Sequence, residues 1–216
     1  MKLVFMLDFD GTITKKDVVA TMVTKFCRDG WQDLNDRWEQ GQLSTEDCAN
    51  QTFALLDATL EEIYQLLDTI ELDEYFPSFV QFCKDNNYPI YILSDGYQQL
   101  INYILQRHGL EDLTVYANKL VITADNHFSI GCQHSNPQCK KCGTCKKQLL
   151  HQLSANQTVV YVGDGYSDMC VCQQADILFA KDSLLAYCRQ NYIPAICYTS
   201  FKQIIDYVKN ISPDGC

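Results

Sequence analysis

Two carboxylates sit one residue apart where a short apolar run ends: LVFML leads into Asp8-Phe9-Asp10-Gly11-Thr12. Like charges that close raise each other's pKa and cost stability unless something neutralises them. Two further apolar runs end in similar chemistry. YPIYIL gives way to Ser94-Asp95-Gly96, and TVVYV to Gly163-Asp164-Gly165-Tyr166-Ser167-Asp168. If these runs are strands of one parallel sheet, their carboxyl ends meet at the crevice where strand order reverses, and ligands bind there. Carboxylates, hydroxyls and several glycines then converge on one spot. Hard oxygen ligands approached by glycine-rich backbone suit Mg²⁺, which keeps some of its waters and is usually shared with a substrate phosphate.

The elements that must hold these residues are legible as patterns. KLVFML, YPIYIL, TVVYV, ADILFA and IPAICY are near-continuous apolar runs, as expected of strands covered on both faces. QQLINYILQRHG has Leu100, Ile101, Ile104 and Leu105 at helical spacing and stops at Gly109, which suits a helix C-cap. CKKQLLHQL and SFKQIIDYVKNI have the same pattern. The alternation predicts an α/β fold with a doubly wound parallel sheet.

Residues 16–75 break it. Val18, Val19, Met22, Val23 and Phe26 mark an amphipathic helix, Ser44 with Asp47 resembles a capping box, and LEEIYQLLDTI marks a third helix. This predicts a helical cap over 16–75, inserted after the first strand, on a core made of 1–15 and 76–216. NKLVITADNHFSI predicts an antiparallel β-hairpin near 119–131.

The chain has 216 residues, 47% of them hydrophobic, and a net charge of −10. That length fits one domain with a large insertion. The acidic balance argues against nucleic-acid and anionic-membrane partners, which want basic surfaces. LVFML is too short for a signal-peptide core, no stretch is long enough to span a bilayer, and cytoplasmic location is the default. The 12 cysteines are then expected to be mostly free thiols.

DxDGT at Asp8–Thr12, the strand-terminal Ser94, a downstream Lys and GDGxxD at Gly163–Asp168 occur in an order that resembles the haloacid dehalogenase superfamily of phosphohydrolases. The resemblance covers essentially the whole chain. It implies a Mg²⁺-dependent phosphomonoester hydrolase that acts through an aspartyl-phosphate on a small phosphorylated metabolite, as a monomer or homodimer. Carried over residue by residue, Asp8 is the nucleophile and Asp10 the general acid and base. The Asp8 carboxylate, the Asp10 carbonyl and Asp164 hold the metal, and Asp168 orients its waters. Ser94 and the amide that follows it bind phosphate, with Thr12 and Gly96 alongside. Asp95 either faces the substrate or caps the next helix. The family also places a Lys at the start of the helix before the GDG strand. Lys146 fits that place; Lys147 is the close competitor, with Lys140 and Lys141 upstream.

A helical insertion after the first motif resembles the phosphoserine phosphatase-like branch. CGTCK with GDGYSD and ADILFAKDSLLAYC is most similar to the methionine-salvage group acting on 2-hydroxy-3-keto-5-methylthiopentenyl-1-phosphate. Phosphoserine, phosphoethanolamine and phosphocholine are the alternative substrates, and a catalytically inactive phosphate-ligand-binding module is the alternative of another class. Lys15, Lys16, Asp17 and Arg37 are the candidate specificity residues. Cys132, Cys139, Cys142 and Cys145, with His134 nearby, are close enough in sequence to form a structural zinc site, or to remain free thiols or pair as a disulfide.

Overall fold

The computed structural model describes residues 2–123, 127–139, 141–154 and 156–211. Strand β1 (Leu3–Leu7) is followed by four helices, α1 (Val18–Phe26), α2 (Trp31–Glu39), α3 (Thr45–Phe53) and α4 (Leu60–Leu67). The chain then runs α5 (Phe76–Asp85), β2 (Ile90–Tyr97), α6 (Gln98–Arg107), β3 (Thr114–Ile122), β4 (Phe128–Gly131) and α7 (Lys146–Leu153). It ends with β5 (Thr158–Gly163), β6 (Ile177–Ala180), α8 (Asp182–Gln190), β7 (Ile196–Cys197) and α9 (Phe201–Ile211).

The seven strands form one sheet in the order β4-β3-β2-β1-β5-β6-β7. Every pairing is parallel except β3 with β4. Strand order reverses at β1, which lies between β2 and β5. Those three strands carry the three acidic motifs, so the motifs share one crevice.

All five residues of β1 are buried, and successive side chains point to opposite faces. Leu3, Phe5 and Leu7 join a core with Phe79 of α5 and Phe201 of α9. Val4 and Met6 join another with Leu149 and Leu150 of α7 and Leu184 of α8. An unbroken apolar run is what such a strand requires.

The five expected strands and the three expected core helices are present. Gly109 follows α6 with φ +67, and the Leu110 amide donates back to the Leu105 carbonyl, closing the helix end. Ser44 caps α3 by accepting from the Asp47 amide, while the reciprocal capping box occurs at Thr59 and Glu62 of α4. The hairpin pairs Lys119 with Gly131 through Ile122 with Phe128; its tip at 124–126 lies outside the described residues. Strand β3 begins earlier than expected, at Thr114, because its first half pairs in parallel with β2.

Helices α2, α5 and α8 have weak sequence signals. Only Leu34 of α2 is buried, and α2 starts at Gly30, φ 110, with no side-chain cap. Among the described residues no helix is long and apolar enough to cross a membrane.

Phe79 is fully buried, with its ring 5.0 Å from Phe5 and 4.9 Å from Phe201. Phe79→Ala is expected to cost about 3–5 kcal/mol in urea unfolding, with an unchanged denaturant slope.

Candidate active site

Asp8 leaves the end of β1, its amide donating to the Val162 carbonyl of β5 (2.9 Å). The chain then turns tightly: the amides of Thr12, Ile13 and Thr14 all donate to the Phe9 carbonyl. Gly11 has φ +70, and a Cβ there would run into the Asp164 carboxylate. Backbone conformation and close approach both require glycine at this position.

Lys146 is the first residue of α7. Its Nζ donates to Asp8 Oδ1 (2.6 Å), Asp168 Oδ1 (2.6 Å) and Ser167 Oγ (2.8 Å). It is 3% exposed, whereas Lys147 lies on the surface. Lys141 is also exposed, and Lys140 lies outside the described residues. Asp168 is fully buried and also accepts from Tyr161 OH (2.6 Å) and from the amides of Asp164 and Gly165 (3.1 Å each). Expected among the metal residues, Asp168 spends both oxygens on protein donors: it fixes the lysine and shapes the Gly163–Gly165 turn.

Asp10 accepts from the Val18 amide at the start of α1 (2.9 Å) and from Ser94 Oγ (3.2 Å). Ser94 Oγ in turn accepts from the Gly96 amide (2.9 Å). A Cβ at Gly96 would stand 2.7 Å from Asp10 Oδ2. Thr12, expected to meet phosphate, is buried and donates its hydroxyl to Asp164 Oδ1 (2.8 Å), so it aims that carboxylate. Asp95 does not cap α6. Its carboxylate borders the cavity, but its oxygens accept from Thr45 Oγ1, Asn118 Nδ2 and the Thr144 amide.

Four carboxylates meet one buried ammonium. Burial, and next the charge of Asp168, hold Asp8 well above the usual carboxylate range. Burial, then Asp17, pushes Asp10 up to about 7. Burial and Asp168 push Asp164 to about 6. Burial works against the Lys146 charge, but Asp168 and Asp8 outweigh it and hold the lysine protonated. The site lacks positive charge. Carboxylate oxygens of Asp8, Asp164 and Asp168 lie within 4.8 Å of one another, and this hard oxygen set fits a divalent cation.

Above the acids lies a cavity of about 580 Å³. Helices α1–α3 give it apolar and aromatic walls, among them Met22, Val23, Trp31, Trp38 and Phe53, and Asp17 and Glu39 add negative charge. Among the described residues no lysine or arginine lines it. Of the four specificity candidates only Asp17 reaches it. Lys15 pairs with Glu71 (2.7 Å) and Arg37 with Asp33 (3.8 Å), and Lys16 is exposed.

The zinc alternative finds no cluster: among the described residues, Asp8, Asp164 and Asp168 are the one trio spaced to hold an ion. Cys145 is buried at the start of α7, while Cys139 is exposed. Cys142 instead lies against Cys170 beside Ser167, and contact with its thiol lowers Cys170 to about 6.

Sequence reasoning missed Tyr161, Ser167 and Thr45. Tyr161 had a signal, a phenol inside an otherwise aliphatic strand (TVVYV). Thr45 had none, because its partner lies 50 residues away.

The family model described as Putative Phosphatase matches residues 3–196. The chain belongs to that family. A 2-hydroxy-3-keto-5-methylthiopentenyl-1-phosphate phosphatase of Bacillus cereus (strain G9842) is 31% identical over 210 residues, covering 94% of each chain. A protein of the same name from Geobacillus thermodenitrificans (strain NG80-2) is 30% identical, covering 97% of each. Among solved structures, a phospho-aspartyl intermediate analogue of phosphoserine phosphatase superposes with a TM-score of 0.72 at 19% identity, covering 95% of this chain and 98% of that one. A substrate-bound phosphoserine phosphatase gives 0.73 at 18%, covering 96% and 98%. The fold of this phosphatase is therefore that of the haloacid dehalogenase phosphohydrolases.

Removing Lys146 from the phosphatase strands two buried carboxylates without a cation. With chelator present, Lys146→Met is expected to cost about 3–5 kcal/mol in urea unfolding. Lys147→Met is expected to stay within about 0.5 kcal/mol of the parent. Equal losses would refute the assignment of the buried lysine.

Proposed function

We propose that this phosphatase is a Mg²⁺-dependent, cytoplasmic phosphomonoesterase that works through an aspartyl-phosphate on Asp8. Its substrate is a small metabolite whose organic part is uncharged or cationic. The observation that carries this reading is the cavity: apolar, aromatic and acidic walls that, among the described residues, include no lysine or arginine, above the Asp8–Lys146 pair. The cytoplasmic part rests on eleven free cysteines among the described residues.

In the first step an Asp8 oxygen attacks phosphorus, and the bond from phosphorus to the substrate oxygen breaks. Asp10 gives its proton to the leaving oxygen. In the second step Asp10 takes a proton from the water that attacks the aspartyl-phosphate. The bond to Asp8 breaks and inorganic phosphate leaves. An Asp10 pKa of about 7 supports both proton roles, and Ser94 and the Val18 amide hold its carboxylate in place. Lys146, fixed by Asp168 and Ser167, offsets charge on the transferring phosphoryl group. Mg²⁺ held by Asp8, Asp164 and the Asp10 carbonyl would supply the remaining positive charge that lets an anionic nucleophile approach an anionic phosphate. A binding-only relative would need no acid buried between Ser94 and Val18.

The organic part of the substrate fills the space under α1–α3, which we read as the cap. A methylthiopentenyl chain suits Met22, Val23 and Phe53, and the 2-hydroxy-3-keto-5-methylthiopentenyl-1-phosphate named for the relatives is the first candidate. The acids and aromatic rings also favour an ammonium group, making phosphoethanolamine and phosphocholine second. Phosphoserine fits worst, since among the described residues no lysine or arginine on the wall pairs with its carboxylate.

A phosphomonoester panel with released phosphate measured tests the substrate class. Neutral and cationic esters are expected to be turned over at least tenfold faster, in kcat/KM, than phosphoserine; a preference for phosphoserine would overturn the cavity reading. Asp8→Asn is expected to remove detectable turnover with the fold intact, because the amide is a poor nucleophile and a weaker metal ligand. EDTA is expected to abolish activity and Mg²⁺ to restore it, with Ca²⁺ a poor substitute because it takes more ligands at longer distance. Full turnover in excess EDTA by metal-free protein would refute the metal role.

A further inference from the structure

We propose that Asp95 is a positioning residue whose carboxylate clasps the helical insertion, at Thr45, to the segment that delivers Lys146, at Thr144. The proposal rests on the reading of the site as hydrolytic, and it assigns Asp95 no contact with substrate.

Three donors from three parts of the fold converge on this side chain. Oδ2 accepts from Thr45 Oγ1 at the start of α3 (2.9 Å). Oδ1 accepts from the Thr144 amide, two residues before Lys146 (2.8 Å), and from Asn118 Nδ2 of β3 (3.1 Å). A carboxylate is acceptor-only and offers about four lone-pair sites. Three are used by protein donors, which leaves at most one for any other donor.

The partners are themselves held. Asn118 is fully buried, donates also to the Asp95 carbonyl (2.7 Å), and accepts from the Thr144 hydroxyl (3.3 Å). Gly143 packs so closely on the Asn118 amide that a Cβ would collide with it. On the other side, Thr45 Oγ1 accepts from Trp38 Nε1 (3.1 Å), and the Thr45 amide donates to the Lys141 carbonyl (2.8 Å). The insertion therefore meets residues 141–144 at one residue: the Thr45 amide bonds Lys141 directly, and the Thr45 hydroxyl is linked to Thr144 through Asp95 near the end of β2. Bonds to a charged acceptor are roughly twice as strong as neutral ones. An Asn at 95 would keep the shape but turn a donor toward one of three donors. Moving α3 outward breaks the Thr45 bond and loosens the segment that aims Lys146, so cap position and lysine position are coupled through Asp95.

The test uses Asp95→Asn, Thr45→Val, Thr45→Ser and the double variant Thr45→Val/Asp95→Asn in the full chain. Turnover is measured with p-nitrophenyl phosphate and phosphoethanolamine. Acrylamide quenching of tryptophan fluorescence reports the insertion, because both tryptophans, Trp31 and Trp38, lie in it. Asp95→Asn and Thr45→Val are each expected to lower kcat/KM about tenfold or more, by a similar factor on both substrates, and to increase quenching. The double variant is expected to be no worse than Asp95→Asn alone, and Thr45→Ser to restore turnover. Multiplying losses, unchanged quenching, or a loss confined to phosphoethanolamine would overturn the clasp, the last by showing direct substrate contact. If the parent protein hydrolyses neither ester nor any other phosphomonoester, the hydrolytic reading fails, and the quenching comparison still decides whether Asp95 fastens the insertion.

Discussion

One buried ammonium holds the centre of this molecule together. Lys146 reaches from the first residue of α7 to carboxylates at the ends of two different strands, Asp8 beyond β1 and Asp168 beyond β5. Without it those charges would stand almost dry and repel each other. With it they are still undercompensated, because Asp10 and Asp164 crowd the same space. That deficit is the physical reason the carboxylates of Asp8, Asp164 and Asp168 fit a divalent cation. A strand-end acid pair that costs stability on its own becomes tolerable once the fold brings a buried lysine to it.

The geometry follows from topology. Strand order reverses at β1, so three chain segments far apart in sequence end side by side. Glycines at 11 and 96 let the backbone come close to Asp164 and Asp10, where any side chain would collide. Asp168 then uses two backbone amides, a phenol and an ammonium to lock the last segment in register. The result is rigid machinery on strand ends, the kind of support that precise chemistry needs.

Strands were legible because two-sided burial leaves an unbroken apolar run, and the acidic motifs because they follow those runs. Lys146 was distinguishable from Lys147 only through family resemblance; the structure separates them by burial. Helix α2 was invisible because its partners are few and its surface is polar. The hydrogen-bond partners of Thr12 and Asp95 were not legible for one reason. Sequence shows that a hydroxyl or carboxylate stands near the site, whereas its direction depends on partners such as Asp164, Thr45 and Asn118 that lie up to 152 residues away. The cysteines show the same limit: spacing along the chain suggested a shared ion, and the fold sets Cys142 beside Cys170 instead.

The acids and Ser94 stand at strand ends and Lys146 on α7, while the cavity walls come largely from α1–α3. Few contacts join the two sets near the site, among them the bonds of Val18 to Asp10, Thr45 to Asp95 and Thr45 to Lys141, and the edge of Trp38 against Tyr166 (4.9 Å). Lineages descending from such a chain can therefore explore new metabolites by letting wall positions drift, provided these few fasteners persist.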